Sequence, residues 1–289
     1  MAETAYQRQY RQEFIHGFED RQSRLRSAVT TEAVVKGNEA VFLVARSAAG
    51  TGVGAQGVTR GVNGLIVARG DSLVQSTATL TETHDLVRKT GFNIFASQGD
   101  QKRVMQETSM AVINREIDDN IIAALDTSTN NTGAATIPSL NMLAWGKTIL
   151  GNNYVDISDE DNLFCVISPG FDAYMMQVPE YASADYVEVK PFSGPSRKYR
   201  RWYGLNWIIH PRLTNSVGAG GSGSSEQCFM FHRNAIGHAV DKGGMDVAVG
   251  YDDEQQYSYA RHSIFMGSVL LQNSGVVQML ADTSAYAAT

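Results

Sequence analysis

Cysteine, proline and histidine are all scarce in this chain of 289 residues, with two, six and six copies. Cys165 and Cys228 lie far apart, each in an apolar run (residues 163–167 and 228–231). They read as reduced, buried small hydrophobes, not as a disulfide or a redox pair. No Cys or His pair has the spacing of a zinc site. Of the histidines (His16, His84, His210, His232, His238 and His262), only His232 and His238 are close. A spacing of six puts them on different faces of a helix, which excludes a metal held from one turn. No apolar run approaches the ~18–20 residues that cross a bilayer. The first 26 residues are polar and charged, without the apolar core of a signal peptide, so a cytoplasmic origin and no membrane partner are expected. Basic residues are the minority, 24 against 30 acidic, for a net charge of −6. That balance excludes a protein whose main task is gripping nucleic acid. It does not exclude a wall that encloses nucleic acid. G-x-S-x-G and H-E-x-x-H are also missing, and no Ser/His/Asp combination is selected by spacing. No enzyme, cofactor or metal centre is expected.

Three patterns that could carry chemistry have plainer readings. Gly52, Gly54 and Gly57 match G-x-G-x-x-G after an expected strand. Dinucleotide binding needs a helix to start there, and the following VTRGVNG does not form one, so a flexible loop is expected. The acidic clusters Asp156, Asp159, Glu160, Asp161 and Asp252, Asp253, Glu254 read as solvated loops or caps; the first lacks EF-hand spacing. The run RKYRRWY at residues 197–203 interleaves cations with aromatics. That suits single-stranded nucleic acid or a protein interface. The run is short and leads into a strand, which favours the interface.

What is present is apolar residue (43%) sufficient for a sizeable core, and glycine, 27 residues concentrated at 50–64 and 218–223. Residues 4–26 read as a polar helical arm with a thin apolar stripe at Tyr10, Phe14, Ile15 and Phe18, which needs a neighbour to cover it. Strands are expected at 39–46 and 65–69, a polar connector at 72–79, and strand-like character over 80–93. This segment cannot form its own core and should project as a flap. The strongest helix signal is 100–126, where Met105, Ile113, Ile117, Ile121 and Leu125 form an i, i+4 ridge interrupted by Ser109. Ser97 or Asp100 is suited to cap it. Mixed structure follows: helix at 139–150, strand at 163–168, a break at Pro169 and Gly170, helix at 171–177, and strand at 205–210. A strand at 228–232, a helical turn at 233–239 and strands at 245–251 and 255–261 come next. A hairpin over 268–272 and 276–280 turns at Asn273, Ser274 and Gly275.

This order of polar arm, flap, beam-like helix, compact mixed domain and returning strands resembles the Hong Kong 97-type major capsid fold of tailed bacteriophages, an α+β fold. Residue-level echoes are SRLRS at 23–27, VVKGNEAVFLV at 34–44, REIDDNIIAAL at 115–125, LFCVISPGF at 163–171, CFMFHRNAIG at 228–237 and the segment 267–280. The resemblance implies an N-terminal arm at 1–35, an extended loop and approach to the peripheral domain at 36–92, and a spine helix at 93–130. It implies an axial domain at 131–240, peripheral strands at 241–262 and C-terminal strands at 263–289. The function implied is a structural one. Copies assemble into pentamers and hexamers of an icosahedral head that encloses double-stranded DNA without sequence-specific binding. Assembly takes place in the host cytoplasm. A scaffolding protein separate from this chain, a portal and a decoration protein are the further partners. Candidate subunit-interface residues are Phe14, Phe18, Arg24, Arg26, Arg60, Arg69, Arg200, Arg201, Trp202 and Tyr203; Gly50 and Gly64 are candidate flap hinges. The alternatives are an encapsulin-like nanocompartment shell, a soluble enzyme of unknown type, and a phage tail or decoration protein, the last disfavoured by the long amphipathic helix.

Overall fold

A computed structural model describes residues 22–286 apart from 35, 47–58, 61–63, 65, 67–71, 97–99, 183–199 and 218–219. The arm stripe, Gly50, Arg69 and the G-x-G-x-x-G glycines fall outside the described residues.

A 3-10 turn at Arg26–Ala28 leads into β1 (Thr30–Val34). β2 (Glu39–Arg46) and β3 (Ser72–Thr79) pair as an antiparallel hairpin, Glu39 opposite Thr79 and Arg46 opposite Ser72. Residues 72–79 are thus a strand, not a polar connector. Their small side chains alternate: Val74, Ser76 and Ala78 face inward with Phe42, and Leu73, Gln75 and Thr77 face out. Period two decides the strand here, not overall polarity. β4 (Thr81–Thr90) follows, then the short helix α1 (Gly91–Ala96), where continued strand character was expected. The long helix α2 (Gln101–Asp126) is capped by Asp100, whose carboxylate accepts from the Arg103 N–H at 3.2 Å. Its predicted ridge is buried, Ser109 included. At ~1.5 Å per residue it is about 40 Å long.

The rest of the chain is α3 (Leu140–Asn152), β5 (Leu163–Ile167), α4 (Pro169–Met175), α5 (Pro179–Ala182), β6 (Arg200–Trp202), β7 (Leu205–Ile209) and β8 (Glu226–His232). Then come β9 (Ile236–Asp241), β10 (Asp246–Asp252), β11 (Tyr257–Leu270) and β12 (Val276–Ala281). Ser168 caps α4 by accepting from the Phe171 N–H, so Pro169 is the first helical residue and starts the helix instead of breaking it. Two five-stranded sheets result. In the first the order is β1-β9-β11-β10, with β4 also on β11; in the second it is β12-β8-β5-β7-β6. α2 lies across β11 of the first sheet, and the main core runs continuously from its ridge to β5 and β8. β5 is buried at all five positions, as the centre of a sheet covered on both faces should be.

Two expectations fail between the sheets. Residues 236–239 are strand, not helical turn: only Arg233–Ala235 is 3-10, and β9 then joins the first sheet. The 268–280 hairpin does not form. β11 ends on β9, with Leu270 opposite Ile236, whereas β12 pairs with β8, with Val276 opposite Phe231. The turn Asn273–Gly275 is a crossover, and it runs beside the crossover from β8 to β9. The Leu271 and Gln272 N–H groups both donate to the Ala235 carbonyl, at 2.8 and 3.2 Å. A Cβ on Gly275 would lie 2.8 Å from that of Ala235, so glycine is what lets the two crossovers touch. The sheets are therefore joined by a two-chain neck. The end of α2 is tied to it: the Asn130 side-chain amide donates to the Asn273 carbonyl at 2.7 Å, and Asn273 Oδ1 accepts from Ser128 Oγ and the Thr129 N–H.

Candidate assembly surfaces

The hairpin of β2 and β3 stands on the first sheet through a small core of its own. Ala40, Phe42, Val44 and Ala78 pack on Ala239 and Leu271, with Val34, Leu80 and Val269 around them. The seat is flat because it is made of small residues. Phe42 lies on Gly237, where a Cβ would come within 2.9 Å of its ring. The Thr79 carbonyl oxygen lies only 2.1 Å from where a Cβ of Gly267 would be. Gly267 is opposite Ala239 in the β9–β11 register, so both glycines line one face. The other face of the hairpin is largely exposed among the described residues: Val41, Leu43 and Leu73 are 50%, 73% and 75% exposed. Arg60 and Gly64 belong to the segment beyond this root. Arg60 is exposed, and Gly64 has φ +70°, a left-handed conformation that glycine adopts without strain.

The N-terminal segment is fixed to α2 by one carboxylate. Asp118 accepts from Ser23 Oγ at 2.6 Å and from the Arg24 and Leu25 N–H groups at 3.0 Å each. His210 Nε2 stands 3.5 Å from the same group. Burial opposes ionisation of Asp118, but these donors together outweigh it and hold its carboxyl below the usual range. Arg24 donates a side-chain N–H to the Ile209 carbonyl, and Arg26 is exposed. Sequence reasoning did not single out Asp118, because its partners Ser23, Arg24, Leu25 and His210 lie far away in the chain.

The cationic run at residues 200–203 divides. Trp202 is 8% exposed and sits among Tyr181 (4.8 Å between centroids), Trp207 and Tyr203. Arg200 pairs with Asp172 and stacks over the Tyr181 ring. These two expected interface anchors instead serve the chain's own core, because alternation along β6 turns them inward. Arg201 pairs with Asp161 at the surface. Tyr203 is half exposed at the β6–β7 turn, where it and Gly204 have φ of 57° and 69°. That pair of positive angles is the two-residue turn that suits strand twist. Lys147 Nζ donates to the Tyr203 carbonyl at 3.0 Å and lies over its ring.

Further apolar surface was not singled out in the sequence. Val247, Val249 and Tyr251 alternate along the free edge strand β10 and are about half exposed, as are Phe265 and Trp145. The signal was available in the period-two spacing of VAVGY. The acidic clusters serve as turn caps: Asp252 accepts from the Glu254 and Gln255 N–H groups, and Asp159 accepts from Asn162. Among the described residues no group of His, Cys, Asp and Glu is arranged to hold a metal ion, and no helix is long and apolar enough to cross a membrane. Cys165 and Cys228 are free and buried, and burial pushes both thiols up, away from the reactive thiolate.

A two-sheet body, a long helix across one sheet and a hairpin standing on that sheet make up a fold of the Hong Kong 97 type. Solved structures of this fold match over almost the whole chain. The chain of Mycobacterium phage Che8 matches with TM-score 0.72 at 14% identity, covering 96% of this chain and 97% of that one. The capsid of a native GTA particle matches at 0.69 and 11%, covering 96% and 95%. The capsid of cyanophage P-SCSP1u matches at 0.66 and 12%, covering 96% and 93%. No curated protein sequence matches. The family model described as phage capsid protein matches residues 2–282, and the chain belongs to that family. It is a structural capsid protein of the phage virion, not an enzyme.

Proposed function

We propose that copies of this chain close into pentamers and hexamers and then into an icosahedral head around double-stranded DNA. The uncovered face of the β2–β3 hairpin supports this reading most directly. Val41, Leu43 and Leu73 leave half to three quarters of their surface exposed in the single chain. A neighbouring subunit removes them from water at roughly 25 cal/mol per Å² of apolar area. Each subunit gives its hairpin to one neighbour and receives one from another. Such head-to-tail contacts close into rings.

In this reading Arg60, the partly exposed Arg201 and the exposed Tyr203 lie at subunit boundaries, with Arg24 and Arg26 beside the arm. Phe14, Phe18 and Arg69 join them, and Gly50 and Gly64 let the hairpin tip turn relative to its seat. The DNA is enclosed without sequence-specific contacts, in keeping with a net charge of −6. Assembly occurs in the host cytoplasm, with a scaffolding protein, a portal and a decoration protein as further partners. Electron microscopy of the purified protein is the test. Closed shells with five-fold and six-fold clusters are expected. A compact monomer or dimer at micromolar concentration would overturn the proposal, and shells loaded with protein cargo instead of DNA in the native source would favour a nanocompartment.

A further inference from the structure

Two histidines are buried in the layer between the first sheet and α2, and each has a ring nitrogen without a hydrogen-bond partner among the described residues: Nε2 of His238 and Nδ1 of His262. Their place follows from register. His238 of β9 is opposite Ser268 of β11 on one side and Thr31 of β1 on the other. Ser268 Oγ donates to Asn120 Oδ1 of α2 at 2.6 Å, so this face of the sheet looks at the helix. His262 is six residues from Ser268 along β11 and therefore shares its face, opposite Asp85 of β4 and Val247 of β10.

The bond pattern fixes the state of the first ring. Ser268 has one hydroxyl proton, and it goes to Asn120. In the 2.9 Å contact between His238 Nδ1 and Ser268 Oγ, the nitrogen must then be the donor. The neutral ring carries its proton on Nδ1, and Nε2 is an acceptor that meets no donor among the described residues. A second proton has only Nε2 to occupy, and that atom is buried with no hydrogen-bond partner among the described residues. The charged groups facing His238 are Arg26, from the turn before β1, and Asp118 of α2; Asp85 faces His262. Asp118 already accepts from Ser23, Arg24 and Leu25. Asp85 makes no ion pair with His262 among the described residues.

We propose that this layer is an acid-sensitive clasp: protonation of His238 and His262 opens the sheet from α2 and releases β1 and the root of the hairpin together. The coupling runs through β9. His238 lies between Gly237 and Ala239, whose opposite face is the seat of Phe42 and Thr79. The inference concerns one chain and does not depend on how copies assemble.

The direction in pH follows from the burial. Desolvation lowers both rings from the usual 6.5, His238 to about 4. Above pH 6.5 both rings are neutral whether the clasp is closed or open. Between 6.5 and about 4 only the open form protonates His238, so acid favours opening by roughly tenfold per pH unit through that ring, and the lowered His262 acts in the same direction. Asp118 contributes nothing to that window, because its own loss begins below 3.8. Asp119 and Asp126, whose carboxyls burial pushes up, act with the opposite sign.

Two measurements on the full chain test the proposal. The first is backbone hydrogen exchange at pH 7 and 4.5, corrected for intrinsic rates, read at β1, β9 and residues 72–80. The native protein is expected to open about a hundredfold more at pH 4.5, and the His238→Asn/His262→Asn variant less than threefold more. Equal responses, or a flat native response, overturn the proposal. The second is exchange at the imidazole C2 position of each histidine in the native protein, referenced to the same protein in denaturant. It decides the matter even if the variant fails to fold. A His238 midpoint well below the denatured reference supports the clasp, and a midpoint at or above it overturns the clasp.

Discussion

Asp118 and Trp202 show how little of a side chain's task is visible from its type. Asp118 gathers Ser23, Arg24, Leu25 and His210 around one buried carboxylate, joining segments more than ninety positions apart. Its replacement by alanine leaves two backbone donors unpaired. The expected cost is about 3 kcal/mol in urea unfolding, as for other broken buried charge networks. The lowered carboxyl implies a pH signature too. Its contribution is complete above pH 3.8 and disappears as pH falls through its lower folded value, so native and Asp118→Ala stabilities should converge in strong acid. Trp202 looked like an interface anchor and is a core residue. Trp202→Ala should lower stability by about 3–5 kcal/mol, whereas Arg201→Ala, on the same short strand but at the surface, should change it by no more than about 1 kcal/mol. Comparable losses from the two variants in chemical denaturation would contradict this division.

Elements separate what the sequence announces from what it hides. α2, α3 and β2 were legible because a period or a cap marks them: a buried ridge every four residues, Ser139 before α3, and an apolar run at 39–46. β3 was hidden because its inward positions are Val, Ser and Ala, small enough to pass for a polar connector. The route of residues 268–280 was hidden for another reason. A turn containing Asn and Gly suits a hairpin locally, and only the parallel passage of β8 to β9 shows that it changes sheets. The seat of the hairpin depends on two glycines that meet their partners across long sequence separations, which no local pattern displays. Gly267→Ala places a methyl group on the Thr79 carbonyl and should cost about 1–3 kcal/mol. The cost should appear as faster hydrogen exchange in β2 and β3 while α2 and β5 stay protected. Uniform loss of protection would mean that the hairpin is not a separable unit.

At the scale of the molecule, the described residues display apolar surface on the hairpin, on the edge strand β10 and at Trp145 that is about half or more exposed. Val41→Asp/Leu43→Asp/Leu73→Asp should keep the monomer fold, since all three side chains point away from the seat, and should abolish shells in sedimentation velocity. Shells of native size from this variant would remove the hairpin from the assembly mechanism. The resemblance to capsid proteins was legible in the order of elements, but the exposure of the hairpin's outer face was not. Interface residues face a partner that the sequence of one chain does not contain, so burial within the chain is what separates Trp202 and Arg200 from Leu43 and Leu73.

The central claim is that the outer face of the hairpin is covered by another copy. A single thiol reports on it directly, because Cys165 and Cys228 are buried and give little background. In a Leu43→Cys variant, maleimide labelling is predicted to be fast in dissociated subunits and at least about tenfold slower in assembled particles. Equal labelling rates in both states would contradict the account.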